Sequence, residues 1–204
     1  MNFYQRHIVP PLTHLAMRHT RLVPFRKRVV GAAEGRVLEI GIGSGLNFPL
    51  YGTSVSSIIG LEPSAELRRM AGPRALTATA QITLLDASAE AIPLDSDSID
   101  TVVTTWTLCT IPEAVVALGE MRRVLRRSGC LVFVEHGLAP DESVRRWQDR
   151  LTPLWRRISG GCHLNRPIRA MIESGGFRFE RLETGYMPGP KIMNFTYEGS
   201  ALPR

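Results

Sequence analysis

The run Val37-Leu38-Glu39-Ile40 gives way at once to Gly41-Ile42-Gly43-Ser44-Gly45-Leu46. Three glycines at alternate positions let the backbone bend through conformations, and approach other groups, in ways that a Cβ would forbid. An apolar strand emptying into such a turn fits the first connection of a parallel sheet, whose ligands sit beyond the carboxyl ends of its strands. That reading asks the rest of the chain to alternate strands with helices.

It does so. Strands are expected over Val37 to Ile40, Ser57 to Leu61, Gln81 to Leu85, Thr101 to Thr105 and Leu131 to Val134, each a short apolar or β-branched run. Helices are expected over Pro63 to Ala71 and over Pro112 to Arg127. The second carries Val115, Leu118, Met121, Val124 and Leu125 at helical spacing, with Gly129 as its stop. Arg122, Arg123, Arg126 and Arg127 would then share its outer face. The fold class is α/β, a doubly wound, mostly parallel sheet with helices on both faces.

Residues 1–35 precede this alternation. Apolar Phe3, Tyr4, Ile8, Val9, Leu12, Leu15 and Met17 stand among His7, His14 and Arg18, and Pro10-Pro11 is expected to break the stretch into two helical pieces. The expected organisation is one domain over 1–204, with 1–35 a helical lid on a 36–204 core. Arg21, Arg26, Lys27 and Arg28 follow the amphipathic stretch, and a helix of that kind can also lie at a membrane interface.

Composition excludes several classes. At 44% hydrophobic and 22% charged, the chain has the make-up of a folded globular protein. No apolar run approaches the ~20 residues of a spanning helix, and the stretch from Met1 to His7 meets a proline pair instead of a signal-peptide core. Cys109, Cys130 and Cys162 are too far apart for a disulfide framework or a cysteine-based zinc motif, and fit a reducing compartment. A cytoplasmic location is expected, with peripheral membrane contact as the variant. The net charge of +6 admits acidic partners, though a solvated arginine-rich surface is the plainer meaning.

The ligand of the glycine turn can be narrowed. A dinucleotide fingerprint needs glycine at positions 41, 43 and 46, but residue 46 is leucine and the third glycine comes early, at Gly45. Glu39, two residues before the turn, would repel a pyrophosphate yet could bind an ammonium. Glu62 ends the second strand, where an acid in such folds bonds ribose hydroxyls. The segment from Asp86 to Leu94 follows the third strand and could line an adenine. An ammonium, a ribose and an adenine together describe S-adenosylmethionine, and a nicotinamide cofactor is the weaker alternative.

These residues carry a resemblance. Glu39-x-Gly41-x-Gly43-x-Gly45, Glu62, and Ala89-Glu90-Ala91-Ile92-Pro93 ahead of Ser98-Ile99-Asp100 resemble class I S-adenosylmethionine-dependent methyltransferases, in the ubiquinone/menaquinone-biosynthesis-like branch. The stretch from Met121 to Gly129 is similar to the helix and turn before that group's fifth strand. The resemblance spans about residues 36–180. It implies a seven-stranded Rossmann-like sheet and a cofactor site of Glu39, Gly41, Gly43, Gly45, Asn47, Glu62, Pro63, Ser88, Ala89, Thr104 and Trp106. Ser88 stands where many relatives carry an aspartate, so an uncharged hydroxyl contact to the adenine is expected there.

Three further segments, Trp106 to Ile111, Val134-Glu135-His136 and Trp155 through Cys162-His163-Leu164-Asn165-Arg166, look like the animal thiol S-methyltransferases and their bacterial relatives. Those animal enzymes carry a membrane-anchoring helix, and none is expected here. The resemblance implies a small-molecule acceptor, a thiol, with a phospholipid N-methyltransferase as the alternative. An amino-group methylase of nucleic acid would carry Asn/Asp-Pro-Pro-aromatic after the fourth strand, where this sequence has Thr105-Trp106-Thr107-Leu108. Nucleic acid is therefore not the expected partner. A non-catalytic cofactor-binding module is a third reading.

Methyl transfer from a sulfonium asks mainly for alignment and dryness. A base is needed only when the nucleophile arrives protonated, as a thiol of pKa ~8.5 largely does. His136, ending the fifth strand, is the expected base, with His163 as a second catalytic candidate. Asn165 is expected to cap a helix with Pro167 in its first turn. Cys109 could face the crevice or fill core. No metal is expected, because His136, His163 and the cysteines lack ligand spacing.

Overall fold

A computed structural model describes residues 3–204, so the first two residues of the preface lie outside the description. Seven strands, β1 (Gly35–Ile40), β2 (Val55–Leu61), β3 (Gln81–Leu85), β4 (Ile99–Thr105), β5 (Leu125–His136), β6 (Phe177–Tyr186) and β7 (Phe195–Pro203), form one sheet in the order β3-β2-β1-β4-β5-β7-β6. β1 to β5 pair in parallel, and β7 runs antiparallel to both its neighbours. The seven-stranded, mostly parallel Rossmann-like sheet is present, with helices on both faces.

Eight α-helices accompany it among the described residues: α1 (Phe3–His7), α2 (Val9–Met17), α3 (Val23–Gly31), α4 (Ala65–Leu76), α5 (Ala114–Val124), α6 (Glu142–Ile158), α7 (Ile168–Ser174) and α8 (Lys191–Asn194). Alternate residues of a strand face opposite sides. Leu38, Ile40, Val102 and Phe133 therefore pack with Leu118 and Met121 of α5 and Ile172 of α7. Val37, Ile58, Val103 and Val134 pack on the other side with Val29 and Val30 of α3 and Ala71 of α4. Leu118 and Met121 are fully buried, and cutting either to alanine would cost about 2–5 kcal/mol.

Several boundaries differ from expectation. The preface is two short helices, as expected, but the step between them falls at Ile8, and Pro10 and Pro11 lie in the first turn of α2, where their missing N–H groups go unneeded. α4 starts at Ala65 because Ser64 caps it, accepting from Leu67 N at 3.4 Å. α5 ends at Val124, so Arg126, Arg127 and Gly129 belong to β5. Gly129 is no helix stop; a Cβ there would crowd the Asp100 carbonyl. The four arginines thus share no helix face. Arg123 reaches Glu120 and the carbonyls of Ile92 and Leu94, while Arg126 pairs with Asp100. Asn165 caps nothing: Pro167 holds the N-cap position of α7, and Asn165 donates to Asp149 Oδ1 at 2.7 Å.

Candidate active site

From β1 the chain moves outward to β2 and β3, then crosses back to β4 on the other side of β1. The connections leaving β1 and β4 therefore diverge and open a crevice at their carboxyl ends. Gly41, Gly43 and Gly45 turn there with φ of 65°, 54° and 76°, values that side-chain-bearing residues rarely adopt. A Cβ on Gly41 would strike Thr107 and one on Gly45 the Phe48 ring, while the space in front of Gly43 is open. Only a three-residue 3-10 turn, Phe48–Leu50, follows. No α-helix starts there to offer its dipole to a pyrophosphate.

Beneath the turn lies a buried polar group of four. Glu39 is 1% exposed; its Oε1 accepts from Asn47 Nδ2 at 2.8 Å and its Oε2 from the Tyr51 hydroxyl at 2.7 Å. Arg26 donates to Asn47 Oδ1 at 2.6 Å. Burial drives the Glu39 pKa up to about 7, against the two hydrogen bonds and the Arg26 charge, which lower it. Burial likewise lowers Arg26, to about 10. Arg26 was grouped with Arg21, Lys27 and Arg28 in a stretch that could lie at a membrane interface; it is buried, on the α3 face of Val29 and Val30, three and four residues on. That spacing is the signal that could have placed it. Arg28 is ion-paired with Glu198 at 2.7 Å, so the basic run offers no continuous free face.

Glu62 joins β2 to the turn. Its Oε2 accepts Gly43 N and its Oε1 accepts Ser64 N, both at 3.0 Å. Burial raises its pKa, and the two N–H groups pull the other way. A carboxylate has about four lone-pair positions, so two remain. Pro63 is exposed, Ala89 is buried, and exposed Ser88 bonds Glu90 Oε2 at 2.8 Å.

After β4, Trp106 turns at φ 53°, a strained value for a bulky side chain. Arg26 stacks over its ring at 5.0 Å. The bend is held from below by Glu135, fully buried, which accepts Thr107 N at 3.0 Å and Leu108 N at 3.2 Å. Glu135 is a positioning residue that sequence reasoning left without a role. Trp106 Nε1 is shielded from water without a hydrogen-bond partner, and the Thr104 hydroxyl, equally shielded, lies by the Glu135 carboxyl.

The strand ends also bring together residues distant in sequence. His136 Nε2 lies 3.2 Å from Cys162 Sγ, and Cys109, His136 and Cys162 offer ligand atoms all within 4.8 Å of one another. Expectation held that these residues lacked ligand spacing in sequence; three separate segments bring them together in space. Cys162 is presented by Gly160 and Gly161, at φ 66° and 94°. His163 lies apart from the trio's centre, with N at 2.9 Å and Nδ1 at 3.1 Å from the Cys109 carbonyl. Burial lowers the His163 pKa, with Arg166 and Arg156 adding to the effect. Gln148, fully buried on α6, bonds the Gly137, Leu164 and Ile192 carbonyls and Ala139 N, tying the segments around His136 and His163 together.

The preface reaches both halves of the crevice. His14 Nδ1 meets Ser44 Oγ of the glycine turn at 2.7 Å, Arg26 joins Asn47 and Trp106, and Tyr4 donates to the Ile158 carbonyl at 2.8 Å. No described helix is long and apolar enough to cross a membrane.

The open space before Gly43 and the lone pairs left on Glu62, above the buried Glu39 carboxyl, fit a cationic nucleoside ligand. Comparison with known proteins agrees. Residues 38–133 match a family model described as a methyltransferase domain. The chain is 33% identical over 174 residues to the rat thiol S-methyltransferase TMT1B, an alignment covering 78% of this chain and 69% of the relative. It is 34% identical over 111 residues to the phosphatidylethanolamine N-methyltransferase of Cereibacter sphaeroides, covering 52% and 53%. A solved S-adenosylmethionine-dependent methyltransferase from Aquifex aeolicus superposes with a TM-score of 0.67 at 17% identity, covering 96% of this chain and 98% of that one. The chain belongs to the class I S-adenosylmethionine-dependent methyltransferases, and S-adenosylmethionine is its methyl donor.

Proposed function

We propose that the acceptor is a small apolar thiol and that the described residues act as one unit, with the preface as a lid. The observation that carries this reading is the character of the crevice beyond β4 and β5: Trp106, Cys109, His136 and Cys162 gather there. Along α6 and α8 an apolar groove of about 150 Å³ is lined by Leu151, Leu154, Trp155, Ile158, Leu164, Ile192 and Met193, with Leu154 and Ile158 exposed. Such walls strip water from a thiolate more readily than they would hold a hydrated amine or phosphate. The similarity to thiol S-methyltransferases supports the same acceptor.

S-adenosylmethionine supplies a methyl group already activated on a sulfonium. In this reading Glu62 holds the ribose with its free lone pairs, and Gly41, Gly43 and Gly45 give close backbone approach. Glu39 and Asn47 stand at the ammonium end, Pro63, Ser88 and Ala89 at the adenine, and Thr104 and Trp106 toward the reacting methyl. The acceptor sulfur's lone pair forms the new S–CH3 bond as the sulfonium C–S bond breaks, the electron pair staying on the cofactor sulfur. The acceptor's proton leaves first, and His136 and His163 flank that side.

A phospholipid amine is the second reading. Phe3, Leu12 and Leu15 expose apolar surface on α1 and α2, and the Cereibacter relative is a phosphatidylethanolamine N-methyltransferase. Incubating the protein with methyl-labelled cofactor and separate thiols, phenols, amines and phosphatidylethanolamine vesicles distinguishes the two. Label in thioethers supports the thiol; label in phospholipid with none in any thiol overturns it.

A further inference from the structure

The trio of Cys109, His136 and Cys162 has no part in holding the cofactor. Each arrives from a different segment: the loop after β4, the end of β5, and the glycine turn after α6. Their ligand atoms lie within 4.8 Å of one another, the closest pair, His136 Nε2 and Cys162 Sγ, at 3.2 Å. A tetrahedral zinc ion with Zn–S of about 2.3 Å and Zn–N of about 2.0 Å sets its ligand atoms about 3.5–3.8 Å apart. Shifts of about an ångström would bring the three into that arrangement. Two sulfurs and an imidazole are the donor set that zinc favours over magnesium or calcium.

The surroundings are built to hold the trio in place. Two consecutive left-handed glycines turn the backbone sharply to present Cys162. His163 pins that turn to the Cys109 carbonyl, and Gln148 anchors the neighbouring backbone on either side. Outside the trio Cys109 Sγ lies 3.5 Å from the Trp106 carbonyl and Cys162 Sγ 4.0 Å from the His163 carbonyl, with the buried Trp155 indole nitrogen beside Cys162.

We propose that Cys109, His136 and Cys162 form a zinc site with three protein ligands and an open fourth position at the carboxyl ends of β4 and β5. Three ligands and an open place are the mark of a reactive zinc site as opposed to a structural one. Resting on the thiol reading above, that place takes the acceptor: R–SH binds as the thiolate and releases its proton to solvent. The thiolate's lone pair then forms the bond to the methyl carbon while the cofactor sulfur keeps the electrons of the broken bond. Zinc changes no oxidation state, and the thioether, a poor ligand, departs. With His136 held to the metal, the zinc charge, and not that imidazole, favours the thiolate near neutrality.

The test uses the full chain, dialysed without chelator and analysed by elemental mass spectrometry, and again after exchange with cobalt. About one zinc per chain is expected, with a thiolate-to-cobalt charge-transfer band in the cobalt form. Cys109→Ser, Cys162→Ser and His136→Ala should each reduce zinc to under about one-tenth per chain. Cys130→Ser, in the middle of β5 and outside the trio, should leave it unchanged. Should the ligand variants fold poorly, alkylation of the parent protein decides: Cys109 and Cys162 should be protected until a chelator is added, with Cys130 labelling indifferent to it. Protein without zinc or a cobalt band, zinc unaffected by all three ligand changes, or a Cys109–Cys162 disulfide in place of metal would each overturn the site. Thiol methylation at full rate by metal-free protein would overturn the zinc role and leave the acceptor standing. A loaded site with no thiol methylation would do the reverse.

Discussion

Glu62 accepts the backbone N–H of Gly43 at 3.0 Å, so the acid ending β2 holds the glycine turn that follows β1. A residue assigned to the ribose is thus also a brace for the turn over which the cofactor lies. Glu62→Ala leaves the N–H groups of Gly43 and Ser64 without that acceptor and removes the contact to the ribose. A loss of about 1–3 kcal/mol of cofactor binding, roughly 5- to 150-fold, is expected by calorimetry. Unchanged affinity would take Glu62 out of the site.

Gly41 and Gly43 separate folding from binding. Both sit at positive φ, which costs an alanine about 1–2 kcal/mol. Only at Gly41 would the new methyl also meet Thr107; at Gly43 it would enter open space. Gly43→Ala is therefore expected to melt slightly below the parent yet lose most of its cofactor affinity, while Gly41→Ala loses stability more heavily. Equal cofactor binding by Gly43→Ala and parent would show that the space is not the ligand's.

Glu39 makes stability depend on pH. Its folded pKa of about 7 stands above the ordinary 4.5, so the folded state holds a proton that the unfolded chain has released. Its stabilising share is complete below pH 4.5 and is lost as pH rises through about 7, a swing on the order of 3 kcal/mol at most. Denaturant midpoints of Glu39→Gln should fall less than the parent's across that window. A bound ammonium would favour the carboxylate, so cofactor binding near neutrality should release a proton, measurable by calorimetry in buffers of different ionisation enthalpy. Parallel pH profiles for variant and parent would count against the buried, protonated Glu39.

Arg26 ties the preface to the crevice through Asn47, Trp106 and the Met17 carbonyl. Arg26→Met should destabilise the fold by about 1.5–3 kcal/mol, the range for hydrogen bonds to a charged group, and weaken cofactor binding. The exposed neighbour Lys27 is the control: Lys27→Met should stay within about 0.5 kcal/mol of the parent. Similar small effects from both would detach the preface from the site.

How much was legible follows from the range of each interaction. β3 runs over the expected residues, and β1, β2 and β4 over slightly more, because local apolar runs specify buried strands. The end of α5 was misjudged because apolar Val124 and Leu125 suit helix and strand alike, and pairing of Leu125 with Ile99 decides the matter. The burial of Arg26 went unread because charge drew attention from its place beside Val29 and Val30 on α3. The convergence of Cys109, His136 and Cys162 was invisible to spacing arguments: it depends on β4 and β5 lying side by side and on a glycine turn folding back from α6.

Methyl transfer to sulfur is tested most directly by one acceptor carrying two nucleophiles. An apolar aminothiol, incubated with isotopically methyl-labelled S-adenosylmethionine and this protein, offers a thiol and an amine at the same place and concentration. Mass-spectrometric fragmentation of the product should find the labelled methyl on sulfur, formed at a rate that Gly43→Ala abolishes. Label on nitrogen, or a labelled phospholipid from added vesicles while the aminothiol stays unmodified, would contradict the thiol acceptor.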